Sequence, residues 1–334
     1  MVGPKRSKVH KVLALAASLA IPLALTASAK TFTIAFVPKL VGIPYFTAMD
    51  QGMMRAAKAF SKGGVNLKII YEGPTTASVS GQDRFVQALV NQGVNAIGVS
   101  ANSPTALCPL VDKAVKKGLV FYSSDSQVSC ASNELQVVQA SPKGLGYAAI
   151  DVLAKDLGGK GEIAFISAGP TATNLNQWMA YMKQRLKKYP GMKLVSVQYA
   201  GESVSQATTI ASQLISAYPN LRGIVGVAST IVPGAAQAVL EAGMKGKIAV
   251  TGFTDPNSIR PYVKDGVVKQ VILWNPTNLG YLTAWGVLQM LEHKAFKAVN
   301  NVPGLGKVQY FAKSKELLLG APMVIDRSNI DLNF

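Results

Sequence analysis

From Phe32 onward, short apolar runs alternate with amphipathic stretches. Phe32–Val37 reads as a strand and Phe46–Phe60 as a helix. Asn66–Tyr71 reads as a second strand, with a helix near Ser80–Asn91 after it. Ala96–Ser100 is a third strand, the stretch Ser103–Lys117 a third helix, and Val120–Ser124 the strand that closes the series. Near-continuous apolar strands separated by helices predict a parallel sheet covered on both faces, because each face must bury its side chains under a helical layer.

A second series of the same rhythm begins at about Ser141. Its strands are Glu162–Ser167, Lys193–Tyr199, Gly223–Ala228 and Ile248–Phe253, with helices between them. Val268–Trp274 then reads as a strand leaving this series, and Thr277–His293 as a helix suited to packing on the first one. The expected fold class is α/β, with two doubly wound parallel-sheet lobes joined by a multi-strand hinge. The expected boundaries are residues 30–139 with 275–300 for the first lobe and 140–274 for the second. Residues 301–334, punctuated by Gly and Pro, are expected to return across the hinge. Two lobes joined this way enclose a cleft at the carboxyl ends of their strands, where open α/β sheets bind ligands.

Ahead of the first strand, Lys5, Arg6, Lys8 and Lys11 precede an apolar run, Val12–Thr26, that closes on Ala27-Ser28-Ala29. This is the pattern of an export signal removed after Ala29. The run falls short of the roughly 18–20 residues of a spanning helix, and Pro22 interrupts it. An exported, periplasmic protein is expected, which makes ATP-dependent chemistry, nicotinamide cycling and gene regulation poor assignments. The formal charge of +17 falls to +13 without those four basic residues. The remaining lysines are scattered singly and in pairs with no interleaved aromatics, the pattern of solvated helix faces; no nucleic-acid partner is expected.

Cys108 and Cys130 are the only cysteines. In an exported chain they predict a disulfide, with two free buried thiols as the alternative; the closed loop would stabilise the fold by roughly 3 kcal/mol in the chain-entropy model. His293 is the only histidine outside the signal, so neither a metal site nor a Ser-His-Asp arrangement has its parts. No G-x-S-x-G, H-E-x-x-H or G-x-x-x-x-G-K-[ST] motif is present. No enzyme activity and no cofactor are expected, and a hydrolase acting through paired carboxylates is the remaining enzyme alternative.

Polar and aromatic residues gather where the strands end: Lys39, Tyr45 and Phe46 after the first, Ser100, then Ser124-Asp125, and in the second lobe Asn174, Asn176 and Gln177, Ser229, Asp255, and Trp274-Asn275. Planar amides and carboxylates read hydroxyl direction and rings cover an apolar C–H face, which suits a small polyhydroxylated ligand. Helix capping and turn formation are the competing roles for the Asp and Asn residues, and lobe core for Tyr45 and Phe46.

Several stretches together resemble one family: Phe36-Val-Pro-Lys-Leu-Val-Gly42, Tyr71-Glu-Gly-Pro-Thr75 with Ser78-Val-Ser-Gly-Gln82, Val90–Ile97, Leu107-Cys-Pro109, Asn174-Leu-Asn-Gln-Trp178, Arg260-Pro-Tyr-Val263, and Ile272-Leu-Trp-Asn-Pro276 with Leu279-Gly-Tyr281. The chain resembles type I periplasmic solute-binding proteins of ABC importers, in the branch of autoinducer-2-binding and rhamnose-binding receptors. The resemblance implies the type I periplasmic binding protein fold, a monomer, and delivery of a ligand to an inner-membrane ABC permease. It also implies that Lys39, Ser124, Asn174 and Ser229 lie near the ligand, with Asp125 beside them. Where the autoinducer-2 receptors carry aspartates, this chain has Ser124 and Asn174, so a sugar or polyol is the expected ligand. Autoinducer-2, or presentation of a ligand to a sensor kinase or chemoreceptor, is the alternative.

Overall fold

The computed structural model describes residues 1–4 and 30–334; the export signal expected over residues 1–29 therefore falls, apart from its first four residues, outside the described residues. The chain runs β1 (Lys30–Val37), α1 (Pro44–Ser61), β2 (Val65–Tyr71), α2 (Val79–Gln92), β3 (Ala96–Val99), α3 (Cys108–Lys116), β4 (Val120–Ser124) and β5 (Leu135–Ala140). It continues through α4 (Pro142–Leu157), β6 (Lys160–Ser167), α5 (Thr173–Leu186), β7 (Gly191–Tyr199), α6 (Val204–Ala217), β8 (Leu221–Gly226), α7 (Ile231–Glu241), β9 (Ala249–Gly252), α8 (Pro256–Asp265) and β10 (Gln270–Leu273). The last elements are α9 (Pro276–Leu291), β11 (Val299–Val302), β12 (Gly306–Phe311), β13 (Glu316–Gly320) and β14 (Met323–Asp326).

The first lobe is built on the sheet β11-β12-β13-β5-β4-β3-β1-β2, in which β2, β1, β3, β4, β5 and β13 are parallel. Successive side chains of a strand point to opposite faces, so this sheet feeds two apolar layers. Ala35, Ile97, Val99 and Phe121 face Val86, Leu89 and Val111 of α2 and α3. Ile34, Phe36 and Tyr122 belong to the layer that holds α1 and α9. Cys108 at the start of α3 is joined by a disulfide to Cys130 in the loop after β4.

The second lobe is built on β7-β6-β8-β9, all parallel. Bridges at Val250–Val268 and Phe253–Ile272 set β10 beside β9, and β14 pairs with β10 in antiparallel fashion. The chain passes between the lobes three times: from β5 into α4, from β10 into α9, and from β13 into β14.

Three features differ from the sequence-based expectation. The first sheet does not close at Ser124. It continues into β5, whose Gln136 and Gln139 break the apolar run of Leu135-Gln-Val-Val-Gln-Ala140. Helix α3 starts at Cys108, with Pro109 in its first turn, rather than at Ser103. Of residues 301–334, expected to return across the hinge, the first part instead completes the antiparallel strands β11–β13 of the first sheet; β14 and the residues after it cross over, onto β10 and α8. Among the described residues, no helix is long and apolar enough to cross a membrane.

Candidate binding site between the lobes

Each parallel strand delivers its next residues to the space between the two sheets. Lys39 follows β1, Asp125 follows β4, Glu202 follows β7, Ala228 and Ser229 follow β8, Phe253 follows β9 and Trp274 follows β10. Tyr45 and Phe46 come from the first turn of α1, and Asn174, Leu175 and Trp178 from the start of α5. Together with Leu273 these residues line one cavity between the two sheets.

Polar residues make up part of the lining. Asp125 is its hub, buried at 5 % exposure. Its Oδ1 accepts hydrogen bonds from Tyr45 Oη at 2.9 Å, Gln139 Nε2 at 3.1 Å and Asn174 Nδ2 at 3.4 Å, and its Oδ2 accepts one from Ser100 Oγ at 2.6 Å. The backbone at Asp125 is left-handed, with φ +71°, a conformation Asp tolerates better than most residues. Burial, with the adjacent Asp125 charge, holds the Tyr45 hydroxyl well above its ordinary pKa, so it remains a donor.

Lys39 is 3 % exposed and donates to Asn174 Oδ1 at 3.1 Å, from the first lobe to the second. Its loop is tied down from beneath. The buried Gln82 donates to the carbonyls of Pro38 (3.0 Å) and Ser100 (2.7 Å), and Asn102 donates to the carbonyl of Lys39 (3.1 Å). Glu202 completes the charged set. Its carboxyl is pushed above the usual range, chiefly by burial; Lys39 opposes that shift and Asp125 adds to it.

Aromatic residues line the same cavity. Tyr45 packs edge-on against Phe46 (5.1 Å between centroids) and Trp274 (5.8 Å), Trp274 against Trp178 (5.5 Å), and Trp178 against Phe253 (4.7 Å). This wall runs from one lobe into the other, and Trp274 Nε1 donates to Tyr45 Oη at 3.2 Å. At the rim, Thr171 donates to the Asn102 carbonyl (2.7 Å) and Thr173 to the Gln127 carbonyl (3.1 Å), so the cleft is closed.

The structure thus brings Lys39, Tyr45, Phe46, Asp125, Asn174, Ser229 and Trp274 together. Three other residues expected at the ligand stand elsewhere. Ser124 shares the strand face of Tyr122, sealed under α9, where its Oγ pairs with Thr283 Oγ1 at 2.8 Å. The period-2 alternation of a strand turns it away from the cleft just as it turns the following chain toward it. Asp255 caps α8, accepting from Ser258 N at 2.9 Å and Ser258 Oγ at 2.7 Å. Asn275 caps α9, accepting from Asn278 N at 2.8 Å. Both satisfy amide groups that a helix start leaves unpaired.

Glu202, Trp178, Leu175, Ala228, Phe253 and Leu273 line the cavity without having been expected there. Trp178 lies one turn beyond Asn174, a spacing that puts both on one helix face and was readable once α5 was placed. Phe253 and Leu273 look like ordinary strand residues, and Glu202 follows a strand whose apolar pattern is weak. Among the described residues, no cluster of His, Cys, Asp and Glu is arranged to hold a metal ion.

Comparison with known proteins bears on the same region. Residues 34–295 match the family described as a periplasmic binding protein domain. The chain is 29 % identical over 247 residues to a D-ribose/D-allose-binding protein of Pseudomonas aeruginosa, covering 70 % of this chain and 74 % of that protein. A solved ABC transporter solute-binding protein from Clostridium phytofermentas with bound L-rhamnose superposes with a TM-score of 0.82 at 27 % identity, covering 91 % of this chain and 98 % of that one. LsrB from Clostridium saccharobutylicum in complex with AI-2 superposes at 0.84 with 24 % identity, covering 90 % of this chain and all of that one, and shows likeness of fold alone.

Proposed function

Since the chain belongs to the periplasmic binding protein domain family, we propose that it is an exported solute receptor that closes on a small sugar or polyol and hands it to an ABC importer. The observation that carries this reading is the composition of the interlobe cavity. Lys39, Asp125, Asn174, Glu202 and Ser229 offer donors and acceptors, and Phe46, Trp178, Phe253 and Trp274 offer apolar faces. A monosaccharide or polyol has both kinds of surface.

Capture needs no bond to be made or broken. Contacts from both lobes reward the closed form, and a ligand shifts the opening equilibrium by its differential affinity for the two forms. The closed receptor, a monomer lying in the periplasm after cleavage behind Ala29, then docks on an inner-membrane permease.

A thermal-shift screen of the mature protein against D-ribose, D-allose, xylitol, L-rhamnose, further monosaccharides and autoinducer-2 tests this. A ligand at 100 times its dissociation constant adds roughly 2.7 kcal/mol to stability, enough for a clear shift. Stabilisation by a sugar or polyol is expected. Stabilisation by autoinducer-2 alone, or by no member of the panel, would overturn the assignment.

A further inference from the structure

The cavity holds two carboxyl groups, and they are in different situations. Asp125 is occupied by the protein itself. Tyr45, Gln139 and Ser100 donate hydrogen bonds of 2.9, 3.1 and 2.6 Å to its two oxygens and Asn174 adds a long one at 3.4 Å, against about four acceptor positions. Glu202 is nearly free. Among the described residues its one hydrogen bond comes from Thr230 Oγ1, and at 3.3 Å it is long. Lys39 likewise spends one of its three donors on Asn174 and keeps two.

Resting on the reading of this cavity as a carbohydrate site, we propose that Glu202 is the specificity-determining carboxylate: it accepts hydrogen bonds from adjacent hydroxyls of a neutral ligand while Lys39 donates to a ligand oxygen. Asp125, the residue that strand-end position makes the obvious candidate, is instead a positioning residue that orients Tyr45 and Asn174. The charges in the cavity then select against acids. A uronate or aldonate would place a third carboxylate beside Asp125 and Glu202, with Lys39 alone to offset it, and like charges at such range disfavour one another strongly.

The arrangement also couples binding to pH. The groups facing Glu202 are Lys39 from the β1 loop, Asp125 from the β4 loop, Tyr45 from α1 and the Thr230 hydroxyl ahead of α7. Burial holds the Glu202 carboxyl above the usual range. Protonation replaces one acceptor position with a donor, so affinity falls as pH falls through that raised value. The ligand-free fold moves in the other direction. A carboxyl whose folded pKa is raised contributes stability below its ordinary pKa and loses that contribution as pH rises through the raised one.

Calorimetric titration of the mature protein and of Glu202→Gln separates these effects, with L-rhamnose, D-ribose and xylitol as neutral probes and D-galacturonate and D-ribonate as acids. For the wild type, binding of at least one neutral probe, no acid binding within tenfold of it, and weakening on acidification through the raised Glu202 value are expected. In Glu202→Gln the neutral probe should lose at least tenfold in affinity, the neutral-to-acid ratio should narrow, and the acid-side loss of affinity should disappear. A near-isosteric change on a loop that also removes a buried carboxylate leaves the melting temperature at pH 7 at or above that of the parent, which identifies a folded variant. Glu202→Asp, which keeps the charge, should restore part of the affinity and the pH profile. Unchanged neutral-sugar affinity and pH profile in Glu202→Gln would overturn the assignment to Glu202 while leaving the sugar-receptor reading intact. Wild-type preference for an acid would overturn it as well. Failure of every carbohydrate to bind would overturn the sugar-receptor reading and this assignment with it.

Discussion

Asp125 holds three buried donors, the hydroxyls of Tyr45 and Ser100 and the amide of Gln139, at a backbone angle few residues accept. Removing the carboxylate leaves these donors without a partner in a site closed to water, at about 1–3 kcal/mol for each group left unsatisfied before relaxation. Asp125→Ala is expected to lower unfolding stability by about 3 kcal/mol, as read from urea denaturation. Asp125→Asn should lose less, because an amide keeps one acceptor oxygen and Asn tolerates the left-handed region. A loss below about 1 kcal/mol in Asp125→Ala would mean that the hub is not what orders this part of the cavity. Ser124, one residue earlier, illustrates the limit of reading a site from strand ends. Residue type and position put both Ser124 and Asp125 at the end of β4. The strand's alternation sends the serine to Thr283 under α9, and the turn at Asp125 sends the carboxylate into the cleft.

At the scale of elements, α1 and α9 cross in backbone contact. A Cβ added at Gly280 would overlap the carbonyl of Met49, and one added at Gly52 would overlap the backbone of Thr277. Glycine in mid-helix costs about 1 kcal/mol relative to alanine by propensity alone, so its use here reflects the close approach. Gly280→Ala is therefore expected to destabilise the protein by about 1–3 kcal/mol despite the better helix former, because the two helices must move apart. Equilibrium urea denaturation reads this directly, and a stabilised variant would show that the helices have room to separate. The displacement would reach the site as well, since α9 begins directly after Trp274 and Asn275. The helices and most strands were legible because their apolar periods are long or near-continuous. Strand β5 was not, because two glutamines interrupt six residues. The antiparallel β11–β13 escaped because short strands around Gly304 and Gly306 look like a loop until their partners are known.

At the scale of the whole molecule, two of the three tryptophans stand in the cleft. Trp178 and Trp274 pack on each other there, while Trp285 lies against Phe296 in the first lobe. Ligand capture that closes the lobes changes the solvent around the first two and leaves the third alone. A saturable change in intrinsic fluorescence is expected on titration with a bound sugar. It should persist in Trp285→Phe and shrink by at least half in Trp178→Phe, and a signal carried by Trp285 would contradict closure around this cavity. Among the described residues, the side-chain hydrogen bonds that join the lobes are few: Lys39–Asn174, Asp125–Asn174, Tyr45–Trp274, and the rim contacts of Thr171 and Thr173. Exchanging a small set of this kind for water is compatible with opening, which a receptor needs for loading and release.

By itself the sequence determined the alternation of strands and helices, the two-lobed α/β class and the gathering of polar and aromatic residues at strand ends. Those properties follow from local periodicity and from the direction of parallel strands, both written in consecutive residues. Tertiary structure alone decided which of those residues share the cavity. It turned Ser124 under a helix and made caps of Asp255 and Asn275. It also brought Glu202, Trp178 and Phe253 to the site. The reason is physical: a side chain's role at a strand end depends on which face the last pleat presents and which lone pairs neighbouring loops already use, and both are set by contacts between residues far apart in the chain.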